Sequence, residues 1–471
     1  MKIVVAGAGL VGLSSALLLA RDGHQVTVVE RDGAAPTDPA TAWEEWERRG
    51  VNQFRLPHLF ASRYRALMQA ELPDVMADLI DAGALEWHPL GHVPASLREP
   101  GRPGDEDLVA VTGRRVVVES VVARAAEEAR GVEIRRGEPI GGLVAGPADA
   151  SGIPAVGGVR LESGEELPAD LVVDAAGRRS PLPSWLEGLR AAPLAEESDD
   201  SGFVYYGRHF RSTDGVVPDV PGVLPVQEYG TISLLTLPAD NGTWSVVVVT
   251  SSEDTVLRGL RDADRWMTVV RSLPGGDAWV AGDPIDDRVM SMTKLEDRIR
   301  SVVVDGRPVV AGLLPVGDSW ACTNPSVGRG ASIGLMHAVA LRDLLAGHAD
   351  DAPSDLASAW DEATRASVTP WYEATVAGDR HRLAEITALL AGEVYAPEDP
   401  GFEIGKALIC AAGQDPDCLR ALLRLAGVQQ LPGDALAAEG VFDKAIALGA
   451  GWRDAPPLGP TRDELVAMAT G

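Results

Sequence analysis

The sequence predicts an α/β fold: a parallel, Rossmann-like sheet, an antiparallel sheet inserted into it, and a helical C-terminal region. Three observations carry this reading. Residues 2–31, KIVVAGAGLVGLSSALLLARDGHQVTVVER, read as strand, glycine turn, helix and strand. Residues 301–338, SVVVDGRPVVAGLLPVGDSWACTNPSVGRGASIGLMHA, read as a second strand, turn and helix. Between them TISLLTLP and TWSVVVVT flank Ala239-Asp240-Asn241-Gly242, and the Asn-Gly pair marks a hairpin.

In the first unit the strand is the β-branched run Ile3 to Val5. The helix places Leu10, Leu13, Leu17 and Ala20 on one face and stops at Gly23. Gly7 permits a sharp turn, Gly9 lets a pyrophosphate approach the backbone, and Gly12 allows helix and strand to pack closely. The helix N-terminus, at Leu10 and Val11, offers free N–H groups and a partial positive charge. Glu30 ends the second strand, next to Arg31, where a carboxylate can accept ribose hydroxyls and repel a 2′-phosphate. The unit predicts dinucleotide binding and leaves FAD and NAD both open.

Composition narrows the class. The chain has 471 residues, 45% of them hydrophobic and 24% charged, the profile of a globular protein with ample core. A net charge of −27 repels nucleic acid and anionic lipid, so neither is expected as a partner. Three cysteines, Cys322, Cys410 and Cys418, are too few for a disulfide framework and lack metal-ligand spacing, which points to the cytoplasm and to no metal site. The apolar run Ile3 to Ala20 imitates a signal or anchor, but glycines interrupt it and a second strand follows, so no membrane span is expected.

The second unit closes its strand on Gly317-Asp318. Pro325, Gly328 and Gly330 then shape a turn, and the following helix carries Ile333, Met336, Ala340 and Leu344 on one face. An acid at a strand end can hold a polyol hydroxyl, while the helix dipole faces a developing anion. A simple NAD fold has no use for that device, whereas a flavin has a ribityl chain and a ring that becomes negative on reduction.

The pairing of GxGxxG with GD-(x)6-P-x-x-G-x-G resembles the FAD-dependent monooxygenases of the p-hydroxybenzoate hydroxylase and squalene epoxidase type. RRVVVE, residues 114–119, adds a third match. The resemblance implies a FAD-binding Rossmann-like domain of the glutathione reductase type. It assigns Asp318 to the ribityl chain, Pro325, Gly328 and Gly330 to the isoalloxazine, and Arg115 to the FAD phosphates. It implies a discontinuous FAD-binding domain at 1–75, 103–182 and 295–350, a substrate-binding domain at 76–102 and 183–294, and a helical region at 351–471. The family's mid-domain Asp-Gly is replaced here by LVVDAAGRRS, in which Asp174 sits earlier and Gly177 follows Ala176, a form closer to the squalene-epoxidase-like branch. With no second dinucleotide fingerprint, the implied reductant, NADPH or NADH, acts either directly or through a separate flavin reductase.

Candidates for the substrate side follow from two segments. SGFVYYGRHF, residues 201–210, alternates Phe203, Tyr205 and His209 on one face with Tyr206, Arg208 and Phe210 on the other. NQFRLPHLF, residues 52–60, offers His58 as a group whose charge could switch near neutral pH. His58, Tyr205, Tyr206, Arg208 and His209 are therefore the catalytic candidates, and His337 carries less weight. The implied activity is hydroxylation or epoxidation of a hydrophobic small molecule of secondary metabolism by dioxygen, through a C4a-hydroperoxyflavin. A reductase or dehydrogenase, a halogenase, or a cyclase with a structural FAD are the alternatives on the same fold.

Overall fold

The computed structural model describes residues 1–36, 38–48, 50–51, 53–98, 101–147, 152–220, 224–325, 328–348, 352–454 and 458–471. The expected boundary at 350/351 lies outside them. The N-terminal unit folds into strand β1 (Lys2–Ala6), helix α1 (Leu10–Arg21) and strand β2 (Gln25–Glu30), and Gly23 takes a φ of 87° beyond the helix end. β1 lies at the centre of a five-stranded parallel sheet. Strand Leu171–Asp174 and then Leu313–Pro315 extend it on one side, β2 and Val132–Arg136 on the other. Val5 pairs with Val173 on one flank and Val28 on the other, and all three are buried on both faces. This burial explains why the strands read as continuous β-branched runs.

The core lies between this sheet, α1 and the helices Arg115–Glu128 and Gly330–Gly347. Its parallel register brings three strand ends to one edge: β1 at Ala6, the 171–174 strand at Asp174 and the 313–315 strand at Pro315, with Ala6 opposite Asp174 and Asp174 opposite Pro315. Ligands of open α/β sheets bind outside such carboxyl ends.

A second, antiparallel sheet is built from Phe203–Arg211, Val226–Tyr229, Ile232–Pro238, Thr243–Ser251, Asp283–Pro284 and Met290–Met292. Its hairpin turns at Asn241 (φ 54°) and Gly242 (φ 67°), and Thr243 N–H donates to Asp240 O at 3.1 Å, a type I′ turn. Tyr206, Phe210, Trp244 and Trp266 fill the apolar layer behind this sheet. The segment 76–102 connects the two parts: Leu85–Trp87 pairs with Ala110–Arg114, while Trp87 joins the aromatic layer of the antiparallel sheet.

The C-terminal region is helical and spreads over the whole molecule. Helix Pro353–Ser367 packs on the parallel sheet, where Trp360 Nε1 donates to Pro315 O at 3.1 Å. Helix Arg462–Thr470 packs under the antiparallel sheet through Leu465 and Ala469, and Arg462 pairs with the buried Asp254 at 2.6 Å. Helix Pro416–Ala426 rests against Val93, Leu97 and Leu108. Among the described residues, no helix is long and apolar enough to cross a membrane, and no group of three or more His, Cys, Asp or Glu could hold a metal.

Candidate active site and cofactor cleft

The strand ends open on a cavity of about 570 Å³ whose walls come from both sheets and from the C-terminal region. Two helix N-termini face it. α1 begins after Gly9, with Leu10 and Val11 on the cavity wall. The 330–347 helix begins after Arg329, with Gly330 and Ala331 on the wall. Neither has a side-chain cap or an acidic residue in its first turn, so both present free N–H groups and positive dipole ends.

The glycine turn fits a phosphate. Gly7 has a φ of 106°, and a Cβ on Gly12 would lie 2.1 Å from Gly7 O, which fixes both positions by sterics. A Cβ on Gly9 would meet nothing closer than Arg48 Nη1 at 4.0 Å, leaving the cavity side of that residue open. Glu30 is buried at the floor, and its Oε2 accepts from Ala8 N–H at 2.8 Å and from Arg48 Nη2 at 2.5 Å. Asp32 N–H donates to its other oxygen at 3.0 Å. Arg31 lines the cavity beside it.

Arg48 escaped the sequence reading. It lies in the tryptophan-flanked stretch Trp43–Arg48, where nothing local marks it, yet its guanidinium joins Glu30 to Glu119 at 2.8 Å and donates to Ala8 O at 3.0 Å. Arg115 Nε donates to the other oxygen of Glu119 at 2.5 Å. One fully buried carboxylate thus aligns two arginines along the cavity wall. Burial pushes the Glu119 carboxyl up, but Arg115 and Arg48 outweigh it and hold the group below the usual carboxylate range.

At the opposite end, Gly317 and Asp318 line the cavity together with Pro325, Gly328 and Gly330. The Asp318 carbonyl accepts from Arg298 Nη2 at 3.3 Å, whereas its carboxylate accepts from no protein group among the described residues. Gly317 N–H donates to Nδ1 of the buried His337 at 3.1 Å, so Nε2–H donates to Thr364 Oγ1 at 2.9 Å. His337 stacks on Trp360 at 4.3 Å, and burial drives its pKa down to about 3. Gly177 lines the cavity and donates its N–H to Ser319 Oγ at 2.8 Å. Asp174, the displaced acid, faces inward: Oδ1 accepts from Ala176 N–H at 3.0 Å and Ser319 Oγ at 3.1 Å, and Oδ2 from Ser180 Oγ at 2.5 Å. Burial raises its pKa, so this acid builds the turn and does not face a ligand.

The catalytic candidates separate. His58 and Tyr205 line the cavity; Tyr206, Arg208 and His209 do not. Tyr205 donates its phenol to Asn324 Oδ1, and Asn324 Nδ2 donates to Asp379 at 3.1 Å, a buried chain that the sequence did not disclose. His58 Nδ1–H donates to Leu56 O at 2.9 Å and its Nε2 accepts from Arg115 at 3.3 Å. Burial, with Arg115 beside it, lowers its pKa to about 3, so His58 stays neutral near pH 7 and offers no charge switch there. Tyr206 belongs to the aromatic layer, Arg208 lies over Phe210 and Trp266, and His209 donates to Arg55 O at 3.1 Å with its ring against Trp43.

A free carboxylate at a strand end, an open glycine turn and two uncapped helix ends on one cavity form a donor and acceptor set that fits FAD. Comparison with known proteins agrees. Residues 1–43 match the family model described as FAD binding domain. The chain is 29% identical over 415 residues to Protein Rv3254 of Mycobacterium tuberculosis, covering 81% of each. In fold it is similar to PqsL, a probable FAD-dependent monooxygenase from Pseudomonas aeruginosa, with a TM-score of 0.59, 19% identity, and 83% of this chain and 96% of that one covered. It is also similar to the Diels-Alderase PyrE3 of pyrroindomycin biosynthesis, with a TM-score of 0.58, 19% identity, and 92% and 82% covered. Residues 1–43 thus match a FAD binding domain, and the chain shares its fold with solved structures that include a probable FAD-dependent monooxygenase.

Proposed function

We propose that the protein is a flavoprotein monooxygenase that hydroxylates or epoxidises a hydrophobic small molecule of secondary metabolism, with NADPH or NADH as the source of electrons. One observation carries this reading: the cavity is continuous from the charged strand-end groups to an apolar chamber against the antiparallel sheet, lined by Leu56, Leu235, Leu237, Val247 and Met292. When bound, reduced FAD supplies the activation of dioxygen and the transfer of one oxygen atom. The protein's part is to position and to exclude water. Glu30, Arg48 and Arg115 would hold the nucleotide end and Asp318 the polyol, the dipole of the 330–347 helix would favour negative charge on the ring, and the apolar residues of the sheet would seat the substrate.

Asp318→Ala tests the cofactor site directly. Its carboxylate would make charge-assisted hydrogen bonds to the ribityl hydroxyls, each worth about 1.5–3 kcal/mol. The expected result is a folded protein whose FAD dissociation constant rises at least about tenfold. Unchanged flavin retention on desalting defeats the assignment.

The activity is tested on the yellow holoprotein. NADPH and NADH are titrated anaerobically while flavin absorbance is followed; then labelled dioxygen and neutral hydrophobic compounds are supplied. Bleaching by one nucleotide and a product carrying one labelled oxygen are expected. A flavin indifferent to both nucleotides, yet productive after chemical reduction, assigns the reduction to a separate flavin reductase. The similarity to a Diels-Alderase favours one second reading, a cyclase with structural FAD; its mark is a product of unchanged mass formed without dioxygen.

A further inference from the structure

We propose that the helix Pro416–Ala426 is the specificity wall of the substrate chamber, with Leu422 and Leu425 setting the length of an uncharged, apolar substrate moiety. This rests on the substrate-pocket reading above and adds to it which chain segment selects, and on what chemistry.

Charge is segregated along the cavity. Its charged lining residues, among them Glu30, Arg48, Arg115, Glu162, Asp318 and Arg329, come from the parallel-sheet strand ends, the 43–48 segment, the end of strand Val156–Leu161 and the starts of helices Arg115–Glu128 and Gly330–Gly347. The other walls, from the antiparallel sheet, the 56–59 segment and the C-terminal helix, add no charged side chain among the described residues. His58 has both ring nitrogens occupied and is held neutral. Arg115, which reaches the chamber wall at His58, is already paired with Glu119, so a carboxylate, phosphate or ammonium entering this chamber would lose its hydration without a free counter-charge from these walls. The substrate moiety seated there is therefore neutral.

Leu422, Leu425 and Ala426 face the cavity, and the i, i+3, i+4 spacing makes them one helix face. Other residues of the helix, Cys418, Leu419 and Leu423, are buried in the C-terminal core, and Leu224 at the sheet edge packs against that same cluster. The helix is fixed within its length and at its end. Arg420, 3% exposed, donates to both oxygens of Asp105 at 2.7 Å and through Nη2 to Arg98 O at 2.8 Å. At the C-terminal end, Arg63 N–H donates to Gly427 O at 3.0 Å, its Nε to Val428 O at 3.1 Å and its Nη2 to Gln429 O at 3.0 Å. That places a cation on the negative end of the helix dipole.

The same junction stores backbone strain. Val428 is fully buried with a φ of 60°, a conformation that β-branched residues rarely enter, and a Cβ on Gly427 would lie 2.2 Å from Ser62 Oγ. Ser62 and Arg63 directly follow the strand Pro57–Phe60, whose Pro57, His58 and Leu59 line the cavity. One clamp thus locks the C-terminal wall to the wall formed by the Pro57–Phe60 strand. A wall held this firmly limits ligand length by sterics, because it cannot withdraw to admit a longer one.

The test uses the full-length, flavin-loaded protein and displacement of Nile red by primary alcohols of increasing chain length and by the matching carboxylates. Alcohols are expected to bind at least about tenfold more tightly than carboxylates of equal length. Leu422→Ala with Leu425→Ala should lengthen the best-bound alcohol by roughly two methylenes or more, and Leu425→Phe should shorten it, with flavin content unchanged in both. Opposite shifts from the two variants exclude a mere folding defect. Equal binding of carboxylates, or a length preference unmoved by either variant, overturns the proposal while the retained flavin leaves the monooxygenase reading standing. A wild-type chain that takes up no FAD defeats that reading instead, and the alcohol series still scores the wall.

Discussion

Glu119→Gln is expected to cost about 3–5 kcal/mol of unfolding free energy, because it breaks a buried ionic knot by removing its one shared partner. Glu119 is wholly buried and its two oxygens are divided between Arg48 and Arg115 at 2.8 and 2.5 Å. A glutamine has one acceptor oxygen and would turn its NH₂ group toward one guanidinium; Arg48 keeps Glu30, but Arg115 would lose its carboxylate partner. Arg48 cannot relax outward without also releasing Glu30 and Ala8 O. Urea unfolding of the variant measures the loss, and FAD retention should fall with it, since both arginines line the cofactor cleft. The acid dependence has a definite sign. Because the folded-state pKa is depressed, Glu119's contribution is complete above the ordinary carboxylate range and disappears as pH falls through its lowered value. A variant within about 1 kcal/mol of wild type would show that the knot is incidental.

What was legible in the sequence was whatever depends on neighbours along the chain. The run Ile3 to Val5 became Lys2–Ala6, the apolar spacing from Leu10 became a helix ending at Arg21, and Asn241-Gly242 turned the hairpin as its left-handed φ values require. That Asp318, Pro325, Gly328 and Gly330 come to one cavity follows from their places at the boundary between periodic segments. Groups fixed by distant partners were not. Arg48 meets Glu119 across 71 positions, and Arg420 meets Asp105 across 315. Nothing local to either arginine distinguishes it from a solvated one. Alternation in SGFVYYGRHF fixed two faces but not which borders the cavity; the aromatic layer of Trp244 and Trp266 takes Tyr206 and Phe210, which leaves Tyr205 to the other side. Titration state was equally hidden, since burial is a tertiary property: His58 reads as a switch in the sequence and sits in the fold as a neutral acceptor.

The protein is expected to unfold steeply in mild acid, and three histidines held neutral by burial are the reason. His209 and His337 are 1% and 0% exposed, and burial lowers their pKa values to about 4 and about 3, as it lowers that of His58 to about 3. In the unfolded chain each titrates near 6.5. Above that value neither state binds the protons, so stability does not change on their account. Below it the unfolded state takes up all three protons while the folded state refuses them, and stability falls by up to ~4 kcal/mol per pH unit until His209 begins to protonate near its folded value. Asp174 and Asp297, whose carboxyls burial raises, oppose this in part because they bind protons more readily when folded. Against a total of about 5–15 kcal/mol for a typical domain, the histidine term alone is enough to bring the transition between pH 6 and 4. Urea midpoints measured at steps across that range should drop steeply, and flavin release should coincide, since His337 Nδ1 anchors the Gly317 N–H next to Asp318. His337→Asn separates the two effects. It removes one of three titrating groups, so the acid slope should decrease by about a third. It also shortens the reach to Gly317, so FAD binding should weaken even at neutral pH. A slope unchanged by His337→Asn would mean that the acid transition belongs to the carboxylate knots and not to the buried imidazoles.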